Sequence, residues 1–302
     1  MIPHRFGSAP PWWLGVEEEL MLVDAETLEP AHDGFSRVFG EPSERFKPEL
    51  FESFVEIVTG IVETAAEAEA QLRALRREVA ERAALHGLTL LAVGSHPTAR
   101  GPVPIVPVER YRRMKAELGA RLYRQVVCGL HVHVSVPDPE TCLRAFERVV
   151  PQVPALLAAS ANSPFWEGAP SGWRSTRAQV LLEMPTGGTP PPLRSWDDWR
   201  AASRDDSTRR HWDAWPRPEY GTIEVRVMDQ PTSVRRAAEL AAEVQRLVRE
   251  AAAAGPAEPF DRMEYDALRR RAAREGGGPE AERQLELGAA AALREIAART
   301  VE

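Results

Sequence analysis

The sequence predicts an α+β fold built on a mainly antiparallel sheet. Three observations point there. Short strand-like runs recur along the 302-residue chain, at 13–23, 130–136 and 222–227. Long Ala-, Leu-, Glu- and Arg-rich stretches at 64–86 and 233–254 carry helical spacing. The two kinds of segment do not alternate one for one, as a doubly wound parallel sheet requires.

Taken in order, 13–23 reads as a strand and 24–34 as a loop. A second apolar stretch, 50–59, is rich in Phe, Val and Ile and stops at Gly60. The helix over 64–86 has Leu72, Leu75 and Val79 at helical spacing. Thr64 with Glu67 fits a capping box, and Gly87 fits the stop. A buried strand follows at 88–93, then a proline-rich loop through Pro97 and Pro107, then a helix over 108–118. The strand at 130–136 runs into Asp138-Pro139, a cap residue before a first-turn proline. That helix ends before Pro151, and 154–161 forms a second helical piece. Segments 162–172 and 187–192 read as loops. The strand at 222–227 precedes the helix over 233–254. The organisation expected is one domain over 1–257 and a short helical tail over 258–302. The tail, broken at Gly276-Gly277-Gly278, is read as packed on the domain or partly disordered beyond Gly276.

Composition narrows the function classes. A net charge of -7 argues against a nucleic-acid binder, which would show a basic face. It leaves a nucleotide substrate open, since a divalent cation offsets phosphate charge. No apolar run reaches the roughly 18 residues of a membrane span, and 1–13 has no apolar core of a signal peptide. The two cysteines, Cys128 and Cys142, sit in apolar surroundings and suggest buried thiols in a reducing cytoplasm.

Four strand-like segments concentrate the chemistry. In Gly15-Val16-Glu17-Glu18-Glu19, Glu17 and Glu19 share a face because side chains alternate along a strand. Two carboxylates so close repel, and a hard divalent cation resolves the conflict. In 49–59, Glu52 and Glu56 share strand parity, and Glu49 turns inward if the chain bends. In 129–135, His131 and His133 share one face and valines the other, and imidazole can hold a metal or a phosphate. In 221–229, Glu224 and Arg226 share a face; the first suits a metal, the second a phosphate or carboxylate. Each segment alone also fits a solvated or self-paired strand face. Together they fit a sheet face that holds cations and a polyphosphate.

The ordered set GVEEELMLVD, PELFESFVEIVTG, VGSHPTA, CGLHVHVSVPDPE, SANSPFWEG with SGWRSTR, and YGTIEVRVMDQP resembles the carboxylate–amine ligase family related to glutamate–cysteine ligase type 2. The resemblance runs from about Trp13 to about Leu247. It implies a glutamine synthetase-like fold, with the antiparallel sheet curved into an open funnel. It implies ATP- and magnesium-dependent activation of a carboxylate (manganese being an alternative cation), through γ-glutamyl phosphate, for attack by an amine such as that of cysteine. By similarity, Glu17, Glu19, Glu49, Glu56, His131 and Glu224 are metal ligands. Arg226 contacts phosphate, His131 and His133 face the nucleotide, and Arg177 binds substrate or nucleotide. Glu52 and His133 fit equally as outer partners. Pro97–Pro107 and 162–172 are the loops expected to shield the acyl phosphate, and a homodimer is in keeping with the family.

The chain also departs from the family pattern. Trp215 stands where an arginine is expected, with Arg217 as a shifted substitute. Ser171-Gly172-Trp173 replaces Thr-Gly-Tyr, and 260–276 matches the family's C-terminal stretch poorly. These changes fall on parts that the resemblance assigns to substrate binding. Two rival readings follow: a nucleotide-binding relative with a regulatory or assembly role, and a metal-dependent amide hydrolase using His131 and His133.

Overall fold

A computed structural model describes residues 4–185, 187–204, 211–255 and 260–302. Its centre is β1 (Leu14–Asp24), the longest strand, which pairs antiparallel on both sides. β2 (Phe46–Pro48) and β3 (Phe54–Val58) lie on one side of it. β5 (Gly129–Ser135) lies on the other, followed by β9 (Thr222–Asp229) and the edge strand β8 (Ala214–Arg217). β4 (Leu88–Leu91) takes the far half of β1, so that Met21 pairs with Phe54 on one edge and Leu91 on the other. The order β2-β3-β1-β5-β9-β8 is antiparallel throughout, and the sheet does not close.

Alternation along β1 gives the sheet two different faces. Leu14, Val16, Leu20 and Leu22 point into the main core. Each such buried side chain contributes roughly 1.5–3 kcal/mol. The helices packed on this face include α2 (Ala65–Ala84), α4 (Pro139–Val149) and α8 (Val234–Ala253). Glu17 and Glu19 take the opposite face.

Local signals fix the helix starts. Thr64 Oγ1 accepts from Glu67 N (3.2 Å) while Glu67 Oε2 accepts from Thr64 N (3.1 Å), closing the expected capping box. Asp138 accepts from Thr141 N at 2.8 Å, with Pro139 in the first turn. The run at 50–59 is not one strand. A turn occupies 52–53, and only Phe54–Val58 forms the strand.

The remaining elements are α1 (Gly34–Phe39), α3 (Glu109–Leu118) and α5 (Val153–Ser160). A small hairpin joins β6 (Phe165–Trp166) to β7 (Ala169–Pro170). Short helices α6 (Thr176–Val180) and α7 (Trp196–Ala202) follow.

The tail forms α9 (Arg262–Glu275), α10 (Pro279–Leu287) and α11 (Ala289–Arg299). The boundary expected at 257/258 lies outside the described residues. Gly276 and Gly278 are a packing device. A Cβ on Gly276 would sit 2.8 Å from Ala158 Cα, so its absence lets the tail approach α5. Beyond them Thr300 Oγ1 accepts from Ala92 N at 3.0 Å.

Candidate active site

Register across the sheet assembles the site. Glu17 on β1 faces His131 on β5, and Glu19 faces Glu56 on β3. His133 on β5 faces Glu224 on β9. Four strands thereby bring their polar side chains onto one face. His131 Nδ1 is 3.5 Å from Glu17 Oε2, and its Nε2 is 3.7 Å from Glu19 Oε1. His133 Nε2 lies 3.8 Å from Glu17 and 3.9 Å from Glu224. Glu224 is 1% exposed, with Arg226 Nη1 at 3.1 Å and Arg217 Nε at 3.3 Å. Lys47 Nζ sits 3.2 Å from Glu56.

The electrostatics follow from these neighbours. Burial raises the Glu56 carboxyl, and the charges of Glu17 and Glu49 add to it, pushing its pKa up to about 8. Burial also opposes ionisation of Glu224, but Arg217 and Arg226 outweigh it and hold its pKa at about 2. Glu17 is only half-buried; desolvation opposes its charge, yet His131 and His133 hold it well below the ordinary carboxylate range. Burial works against the charged form of His133, and Glu17 and Glu224 overcome it, so its pKa rises. Glu49 is raised by burial and by the charge of Glu19.

Among the described residues two groups offer ligand atoms within 4.8 Å of one another: Glu17, Glu56 and His131; and Glu17, His133 and Glu224. Glu17 is common to both. His131 Nε2 and Glu224 Oε2 are buried and have no hydrogen-bond partner among the described residues. Carboxylate and imidazole donors with unused acceptor capacity fit divalent cations such as magnesium or manganese.

The other expected residues fall as follows. Glu19 and Glu49 line the same cavity of about 280 Å³ but belong to neither group. Glu19 accepts from Gly129 N at 2.6 Å, and Glu49 accepts from Tyr111 Oη at 3.4 Å. Glu52 does not reach the site. The turn at 52–53 breaks its parity with Glu56, and its carboxylate accepts from Ser36 N at 3.4 Å. Arg177 lines the cavity but spends its Nη1 and Nη2 on the carbonyls of Val227 and Arg226 (3.0 Å each). Trp215 lies in the core, 4.2 Å from Trp212 between ring centroids, while Arg217 on the same strand reaches the site.

The expected cover differs. Neither 97–107 nor 162–172 lines this cavity; α3 does, through Arg110, Tyr111 and Met114. Those two loops bond to each other instead, Gly168 N donating to Pro97 O at 2.9 Å. Lys47, Tyr111 and Arg110 were not legible as site residues. Each enters from a neighbouring element, and no local spacing marks it.

A second cavity, also about 280 Å³, opens on the far side of Glu17 and His133. Trp13, Leu14, Ile61 and Tyr220 give it an apolar, aromatic wall. It shares Glu17, Lys47 and Tyr220 with the first. Both cysteines are buried and free, their thiol pKa values pushed up by burial. Among the described residues no helix is long and apolar enough to cross a membrane.

Comparison with known proteins identifies the family and the fold. Two relatives from Rubrobacter xylanophilus are provisionally named glutamate–cysteine ligase 2-1 and 2-3. The first is 40% identical over 247 residues, covering 78% of this chain and 66% of its own length. The second is 39% identical over 285 residues, covering 90% and 78%. The chain thus spans about two thirds of the length of the first.

Two solved structures share the fold. A bifunctional glutathione synthetase from Pasteurella multocida superposes with TM-score 0.63 at 16% identity, over 94% of this chain and 45% of its own. A glutamate–cysteine ligase from Francisella tularensis in complex with AMP gives TM-score 0.54 at 12% identity, over 96% and 88%. The fold is that of the glutamine synthetase-like ligases. A model of glutamate–cysteine ligase family 2 matches residues 13–300. That match runs past Leu247, where the motifs were expected to end, and takes in all three C-terminal helices. With these matches and a carboxylate-lined antiparallel sheet at its centre, the chain belongs to glutamate–cysteine ligase family 2.

Proposed function

We propose that this chain is the catalytic part of an ATP-dependent carboxylate–amine ligase, with the glutamate γ-carboxylate as acyl donor and cysteine or another amino compound as acceptor. The observation that carries the reading is the pair of carboxylate–imidazole groups sharing Glu17, with Arg217 and Arg226 beside Glu224. Glu17, Glu56 and His131 would hold one divalent cation, and Glu17, His133 and Glu224 a second. When bound, such cations neutralise the charge of a transferring phosphoryl group.

The chain's own residues supply the rest. Arg226 carries a planar, permanently charged fork suited to phosphate oxygens. The aromatic cavity beyond His133 suits a purine ring, and the AMP held by the Francisella fold neighbour accords with a nucleotide. The arginine- and carboxylate-lined cavity under α3 suits an acyl donor and an amine. The donor carboxylate oxygen bonds to the γ-phosphorus of ATP as the bond to ADP breaks. The amine then bonds to the acyl carbon, phosphate leaves, and the amine sheds a proton. α3 over the cavity keeps water from the acyl phosphate in between.

The test follows ADP formation with ATP, magnesium, glutamate and a panel of amines. ADP that appears only when donor and amine are both present supports the ligase, and Glu17→Gln, which strikes both cation groups, should abolish it. Tight nucleotide binding without ADP from any donor would favour the regulatory relative instead. Amide cleavage without ATP would favour the hydrolase.

A further inference from the structure

We infer that Arg177 is a positioning residue for Arg226, and that the buried Asp213–Arg269 pair, contributed in part by C-terminal helix α9, completes the clamp. The inference rests on the reading that Arg226 grips phosphate. It begins with an irregularity in the sheet. Between β5 and β9 the register jumps, Leu130 pairing with Met228 but Val132 with Val225. One extra β9 residue is accommodated there, opposite His131. Such a bulge re-aims a side chain and takes nearby carbonyls out of the ladder. Val227 and Met228 accordingly both face the main core, which strict alternation would forbid.

The carbonyls at the bulge are those of Arg226 and Val227, and Arg177 donates to both at 3.0 Å. Arg177 is 2% exposed, so its guanidinium acts as a short substitute strand inside the protein. Gly129 makes this possible. A Cβ there would fall within the van der Waals envelope of the guanidinium, which therefore needs glycine at 129.

The N–H of the same residue is also held. Arg226 N donates to Asp213 O at 2.9 Å. The Asp213 carboxylate takes a two-pronged grip from Arg269 (2.6 and 3.1 Å) and a bond from Tyr265 Oη at 2.8 Å. Arg269 Nη2 also donates to Ala178 O at 3.1 Å, beside Arg177. The C=O of Arg226 is thus fixed by Arg177 and its N–H by Asp213, whose carboxylate is anchored by Arg269 in the C-terminal helices. Neither cation group needs Arg177 or Arg269, so their burial is explained by this clamp.

A double-mutant cycle tests the idea without relying on turnover. Mg·ADP affinity is measured by titration calorimetry for the full chain, Arg177→Met, Arg226→Met and the double variant, each checked for a cooperative thermal transition. Positioning predicts that Arg177→Met weakens Mg·ADP about ten-fold in the native background and by less than two-fold once Arg226 is gone. Gly129→Ala, which evicts the guanidinium without removing it, should match Arg177→Met. Factors that multiply would mean that Arg177 touches the ligand itself, and would overturn the proposal while leaving Arg226 in its role. A lower melting temperature with unchanged affinity would reduce Arg177 to a purely structural part and also overturn it. Unchanged affinity in Arg226→Met would sink the phosphate reading and the clamp with it. Should Arg177→Met not fold, Arg177→Lys takes its place in the cycle.

Discussion

Glu17 stands where the two candidate cation groups meet, and its neighbours divide into acids of opposite character. Glu224, between two arginines, has a pKa of about 2 against an ordinary 4.5, whereas Glu56 has one of about 8. The two contribute to stability with opposite sign. Glu224 is depressed, so its contribution of about 3 kcal/mol is present above pH 4.5 and lost as pH falls toward 2. Glu56 is raised, so the folded state holds a proton that the unfolded chain gives up above pH 4.5. Stability therefore falls as pH rises from 4.5 toward 8. In the cation-free protein, Glu56→Gln should remove that alkaline decline, measured by urea unfolding in EDTA at pH 5 and pH 8. An identical decline in wild type and variant would show that Glu56 is not the proton holder. The alternation of Glu17 with Glu19, His131 with His133 and Glu224 with Arg226 was legible because period two is local. What each faces across the sheet was not, because register is set by the whole sheet. Glu52 shows the limit: a turn at 52–53 removed it from the face that its spacing to Glu56 assigned.

At the level of elements, the third acid of the Glu17-Glu18-Glu19 run explains how α2 is tied to the sheet. Glu18 points to the helical face and meets Arg76 in two bonds of 2.6 and 2.8 Å, both side chains fully buried. Arg76 also donates to the carbonyls of Pro231, Thr232 and Thr300. Removing one partner leaves an uncompensated buried charge, so Arg76→Met should cost about 3–5 kcal/mol in urea unfolding. Arg76→Met with Glu18→Leu should recover part of that loss. A cost below about 1 kcal/mol for Arg76→Met would show that the pair does not anchor the helix. A signal existed, since Arg76 sits among Leu72, Leu75 and Val79 on the apolar stripe of α2, but it named no partner. The long helices were readable through their own caps. β8 was not, since Ala-Trp-Pro-Arg has no alternation, and proline is tolerated there because β8 is an edge strand.

At the scale of the molecule, the C-terminal helices are held by polar contacts that reach the core of the preceding fold. Arg269 on α9 neutralises Asp213 beside β8. Gln284 on α10 bonds Asn162, which in turn donates to Gln230 O and Thr232 Oγ1. Thr300 after α11 bonds Ala92 N and receives Arg76. Composition alone gave this segment a helical character and could not supply its partners, which are buried charges and amides dispersed through the first 255 residues. Deleting it would strand the Asp213 carboxylate in the interior, at about 3–5 kcal/mol. It would also expose the surface now covered by Tyr265, Leu293 and Ile296, each worth roughly 1.5–3 kcal/mol. Those losses together rival the 5–15 kcal/mol that typically separates folded from unfolded chains. A chain ending at residue 255 is therefore expected to lose its fixed tertiary packing. The near-ultraviolet circular dichroism of the clustered Trp199, Trp212 and Trp215 should collapse, and the cooperative thermal transition should disappear. A shortened chain that kept both would show that residues 1–255 fold without the helices, and that Arg269 and Thr300 only decorate a body complete without them.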